Sequence, residues 1–68
     1  MIEKFIVLWF DGKIWYDSCT VNTEEDAKAE IEAIKETMPW MTDSDFAVIQ
    51  NTRKGIRDFK KEHIVDLT

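Results

Sequence analysis

A chain of 68 residues and 8.0 kDa has room for one domain, residues 1–68, near the lower limit for a core without covalent or metal staples. Its net charge of −5 disfavours nucleic-acid binding by the body of the domain, because such a field repels phosphate. One cysteine (Cys19) and one histidine (His63) exclude a disulfide framework and a tetrahedral zinc site, so no metal or other cofactor is expected to prop up the fold.

The first two elements form a hairpin. Residues 2–10 and 13–21 are two β-prone runs around Asp11-Gly12, the strongest short hairpin signal. A two-residue turn predicts Trp9 opposite Ile14, Leu8 opposite Trp15 and Val7 opposite Tyr16. One face then carries Ile6, Leu8, Phe10 and Trp15, with Cys19 and Val21 on the Trp15 side of the second strand. The other face carries Phe5, Val7, Trp9, Ile14 and Tyr16. A two-layer domain covers only one such face, so the uncovered one is expected to bind a partner or a second copy. Alternatively, the C-terminal segment folds over it through Ile56, Phe59, Ile64 and Val65.

Thr23 is a helix N-cap, Asp26 can reach back to complete a capping box, and Glu24, Glu25 and Asp26 suit the positive end of the helix dipole. The helix is expected to run to Thr37 and stop before Pro39. Ala27, Ile31, Ile34 and Met38 form one apolar stripe at helical period. Lys28 and Lys35 interrupt the acidic side and are expected to pair with Glu24 and Glu32.

Residues 38–45 form a loop, and 46–51 a third strand. Arg53-Lys54-Gly55 reads as a turn. Residues 56–59 can extend a second hairpin with the third strand, and 60–67 suit a short strand or extended segment better than a short helix. The order β-β-α-β predicts an α+β domain: a small antiparallel sheet with one helix packed on one face, and a fourth short strand or a helix at the C-terminus.

No constellation points to catalysis. His63 has Glu62 and Asp66 nearby but no nucleophile or glycine-rich motif. Cys19 reads as a small core residue, with no cationic neighbour to lower its pKa. Ser18 and Ser44 lack a motif, and Asp43 and Asp45 lack the glycine and distal glutamate of a calcium loop. Gly12 and Gly55 are too few and too far apart to cradle phosphate. The chain is not expected to be an enzyme.

Binding surfaces are better represented. Trp9 and Tyr16 sit on one hairpin face. Trp40 and Met41 place large apolar groups in a loop, as interface anchors or as a cap on the core. Glu24, Glu25, Glu32 and Glu36 form an acidic helix surface. Arg53, Lys54, Arg57, Lys60 and Lys61 give the last 16 residues a charge of +2 against −7 for residues 1–52, and with Phe59 they are a weak nucleic-acid candidate.

In size, acidity, element order and aromatic surplus the chain resembles the small acidic proteins by which bacteriophages and mobile elements inhibit host machinery, such as anti-CRISPR proteins and inhibitors of host RNA polymerase. The resemblance implies a non-catalytic protein-binding module acting on a host nucleic-acid-handling complex with a basic surface. Self-association as a homodimer, or weak nucleic-acid binding through the C-terminal bases, are the alternatives. No apolar run reaches the roughly 20 residues of a membrane span, and no basic leader opens the chain. A cytoplasmic protein is therefore expected, in the host cytoplasm if viral.

Overall fold

The computed structural model describes residues 3–67. Ile2, expected to open the first strand, lies outside them. The chain folds as α+β, in the order β1 (Phe5–Phe10), β2 (Trp15–Val21), α1 (Glu24–Thr37), a 3-10 turn (Asp43–Asp45), β3 (Phe46–Gln50), α2 (Arg53–Glu62) and β4 (Val65–Asp66). The four strands form one sheet in the order β3-β1-β2-β4. β1 pairs antiparallel with β2 and β3, whereas β4 runs parallel to β2, so the sheet is mixed.

The hairpin forms, but not with a two-residue turn. That turn needs positive φ at both central residues, and only Gly12, at φ 104°, has it among the described residues. Asp11 instead turns its carboxylate onto the loop: Oδ1 accepts from the amides of Lys13 and Ile14, both at 2.8 Å. The turn widens to Asp11–Ile14, closed by the Asp11 N–H donating to the Ile14 carbonyl. Phe10 therefore faces Trp15 and Trp9 faces Tyr16. The slip is two residues, so each side chain near the turn keeps its expected face.

A bulge follows. Leu8 pairs with Asp17 but Val7 pairs with Cys19, leaving Ser18 as the extra residue. The alternation of β2 inverts there. Cys19 and Val21 thus join Val7, not Trp15 as a straight strand would have them.

Both sheet faces are covered at the centre. Val7 and Leu8 are adjacent, point to opposite faces, and are each 0% exposed. The topology explains this. The connection from β2 through α1 to β3 crosses the sheet one way, and that from β3 through α2 to β4 crosses back. Crossovers of the usual right hand then place their helices on opposite faces. Ala27 and Ile31 of α1 pack against Val7 and Val21. Opposite, Phe59 of α2 and His63 at its C-cap lie against Trp15, with ring centroids 5.4 and 5.6 Å away.

Helix α2 corrects the expected Arg53–Gly55 turn and the second hairpin over 56–59. Thr52 caps it by accepting from the Gly55 amide at 3.0 Å, and glycine is needed there because a Cβ would meet the Gln50 carbonyl oxygen at 2.5 Å. Ile56, Phe59 and His63, three and four apart, form its inward stripe. The helix also takes residues 60–62 from the strand or extended segment expected over 60–67, and the short strand that forms there, β4, is confined to Val65–Asp66.

Candidate functional site

The expected partner-binding residues divide by position. Trp9 and Tyr16 stack with centroids 5.0 Å apart, half-buried on the α1 side near the hairpin tip. Burial, then the Asp11 carboxylate, raises the Tyr16 phenol pKa, while the Ile14 and Lys13 amides hold Asp11 below its usual value. These two rings belong as much to the hairpin end of the core as to the surface.

Trp40 and Met41 separate completely. Met41 is 6% exposed and closes the core, whereas Trp40 is 73% exposed. The core cap expected of Trp40 is supplied by its neighbour, and Met41 is withdrawn from any partner. The loop is tied at both ends. Met38 N–H donates to Ile34, Met41 N–H donates to Met38, and the Asp45 carboxylate accepts from the Thr42 amide at 3.0 Å. Trp40 borders an open cleft of about 350 Å³ against the hairpin tip, shared with Trp9, Phe10 and Gly12. It is a large apolar group held out on a braced loop.

Glu24, Glu25, Glu32 and Glu36 are all exposed on α1. At 100° per residue, Glu25 and Glu36 share the outward face, Glu32 stands between that face and β3, and Glu24 turns toward β3. Thr23 accepts from the Asp26 amide at 3.0 Å, as expected of the N-cap. The ion pairs fall differently from expectation. Lys28 makes none with Glu24 or Glu32; Lys35 lies 3.8 Å from Glu32 and 2.6 Å from Asp43, and the hydrogen bond to Asp43 raises its pKa.

The basic cluster proves to be helical. Arg53, Lys54, Arg57, Lys60 and Lys61 all lie on α2, which carries five bases and two acids, while α1 carries six acids and two bases. Lys61 lies 3.9 Å from Asp58, but Arg53, Arg57 and Lys60, spaced four and three along one stripe, have no ion pair among the described residues. The acidic and basic helices occupy opposite faces of the sheet. The stripe of Ile56, Phe59 and His63 carried the signal for this helix.

His63 stacks on Phe59 at 4.2 Å between centroids, with Nδ1 3.2 Å from the Phe59 carbonyl. Cys19 packs against the Val7, Val21 and Ala27 core, and burial, then the Glu30 charge, pushes its thiol pKa up. Neither is arranged as a nucleophile or its base. Among the described residues no group of three His, Cys, Asp or Glu could hold a metal ion, and no helix is long and apolar enough to cross a membrane.

One surface escaped the sequence reading. β3 is an outer strand, and Val48 on it is 39% exposed. The available signal was its run Phe-Ala-Val-Ile-Gln, which holds no charge or proline to blunt an edge.

Comparison with family models, with curated proteins and with solved structures finds no match to this chain.

Proposed function

We propose that this chain is a non-catalytic protein-binding module that engages a partner through Trp40 and the neighbouring hairpin tip. The observation that carries the reading is the contrast between Trp40 and Met41: 73% against 6% exposed on adjacent residues of one braced loop. An indole held in water beside a neighbour that fills the core leaves most of its apolar area available to a partner, and tryptophan is the residue most enriched at binding hot spots. The acidic outward face of α1 suits a partner with a basic surface and would speed encounter with it. Proteins that handle nucleic acid carry such surfaces, and a module seated on one would inhibit by occupancy.

The test is capture from a host lysate by tagged protein, with Trp40→Ala as the paired control, followed by calorimetry on the purified partner. A hot spot requires a loss of at least about 2 kcal/mol, roughly 30-fold in affinity. Equal capture by wild type and a folded Trp40→Ala protein refutes the reading.

A second reading rests on the unpaired stripe Arg53, Arg57 and Lys60: weak binding of a nucleic-acid backbone along α2. It requires affinity that falls steeply with salt. Absence of a gel shift at low salt removes it.

A further inference from the structure

The free edge of β3 and the groove beside α1 carry an inference separate from the Trp40 surface. The backbone register defines what the edge offers. Asn51 N–H donates to the Lys4 carbonyl at 2.8 Å, which marks Asn51 and Lys4 as a hydrogen-bonded antiparallel pair. Such pairs alternate. Residues 47 and 49 therefore turn their backbone groups toward β1, and residues 46, 48 and 50 turn theirs outward. Two outward groups are already used: Phe46 N–H donates to Asp43, and the Gln50 carbonyl accepts from Thr52. Among the described residues that leaves the Phe46 carbonyl, both groups of Val48 and the Gln50 N–H. This is the donor and acceptor pattern of one more antiparallel strand centred on Val48.

The side chains agree with the backbone. Two recesses, of about 450 and 390 Å³, lie between α1 and β3. Lys28 and Val48 line both; Ile31 and Phe46 line the first, Phe5 and Gln50 the second. Alternate side chains of a strand stand about 7 Å apart on one face. A strand laid on β3 would thus present residues i and i+2 to the two recesses in turn. The rim adds a charge preference. Glu24, Glu32 and Asp43 line the groove with Lys28, and Lys35 reaches Asp43 at 2.6 Å and Glu32 at 3.8 Å, so the rim keeps one carboxylate in excess, and a second copy of this chain, at −5, would bring a like-charged rim to its own.

We propose that the outer edge of β3 accepts an extended segment of a partner protein by strand addition, with small apolar residues alternating into the α1 groove and basic residues flanking them. The backbone bonds supply the attachment and the recesses the selectivity.

The experiment uses the acetylated, amidated peptide Lys-Lys-Thr-Val-Thr-Val-Thr-Lys-Lys as probe. Its control is Lys-Lys-Thr-Pro-Thr-Pro-Thr-Lys-Lys, which has the same charge but lacks the strand donors. Amide exchange is followed by NMR on the intact protein. At about 1 mM valine peptide, the Val48 and Gln50 amides are expected to exchange about tenfold more slowly, with no slowing by the proline peptide. Val48→Pro deletes an outward N–H that no β1 carbonyl uses, and should abolish the slowing at the Gln50 amide while the hairpin resonances stay in place. No protection by the valine peptide, or equal protection by both peptides, overturns the proposal. Protection of Val48 that rises with protein concentration alone, with a dimer by sedimentation, also overturns it by making the occupant a second copy. These outcomes are read at Val48 and leave the Trp40 assay untouched.

Discussion

Trp40 and Met41 are neighbours in sequence, yet truncating them should have opposite consequences. About a quarter of Trp40 is covered, against nearly all of Met41. A fully buried tryptophan hides some 150–250 Å², so about 40–60 Å² is at stake at position 40. At roughly 25 cal/mol per Å² that is about 1–1.5 kcal/mol, an upper bound because the unfolded chain also buries some of it. Trp40→Ala should therefore cost less than about 1 kcal/mol. Met41→Ala loses the transfer energy of a buried side chain and leaves a cavity at the end of the core. Such changes cost about 2–5 kcal/mol, and a site at the core's margin belongs toward the lower half. A domain of this size has total stability of only some 3–10 kcal/mol, so Met41→Ala removes a large share of it. Urea unfolding followed by far-ultraviolet circular dichroism measures both. A Trp40→Ala loss above about 1.5 kcal/mol, or a Met41→Ala loss below about 1 kcal/mol, would show that the indole, not the thioether, closes the core.

Three further perturbations test other parts of the structure. Gly55→Ala should destabilise although alanine gains about 1 kcal/mol of helix propensity, because its Cβ would sit 2.5 Å from the Gln50 carbonyl oxygen; an unchanged urea midpoint would refute that close approach. Asp11 has a folded-state pKa below its ordinary value of 3.8, so its contribution is present above that value and lost as pH falls through the folded pKa; the stability gap between wild type and Asp11→Ala should close on acidification, and a gap constant down to pH of about 2 would contradict the assignment. Cys19, with its thiol pKa raised, should react with iodoacetamide near pH 8 more slowly than free cysteine, and equal rates would show that the core does not shield it.

The sequence disclosed elements whose signals are local. Thr23 and the stripe of Ala27, Ile31 and Ile34 marked α1, and the β-prone runs flanking Asp11-Gly12 marked the hairpin. The Asp11-Gly12 dipeptide alone favours a two-residue turn, and the register differs because the Asp11 side chain, through its two amide bonds, suits a wider loop. The Ser18 bulge left no trace, since nothing local sets it. Helix α2 was hidden by Gly55, which reads as a turn and is required instead by the approach of Gln50. Of the candidate site, the acidic face and Trp40 were legible as exposed groups. That Met41 and not Trp40 would fill the core depended on how the loop returns to β3, which no spacing encodes.

The parallel pairing of β4 with β2 has a kinetic consequence. Trp15 pairs with Val65, and its N–H donates to the Ile64 carbonyl at 2.9 Å, across a long stretch of intervening chain. The hairpin can close locally within microseconds, but this contact must wait until α1, β3 and α2 have been laid down. The β4 segment is also short, so its detachment breaks few bonds and leaves the pairings of β1 untouched. The Trp15 amide then becomes the reporter of a late-joining, early-leaving unit. Its exchange should run ahead of the Val7 amide, at the centre of the sheet, by the free energy that separates partial opening from global unfolding.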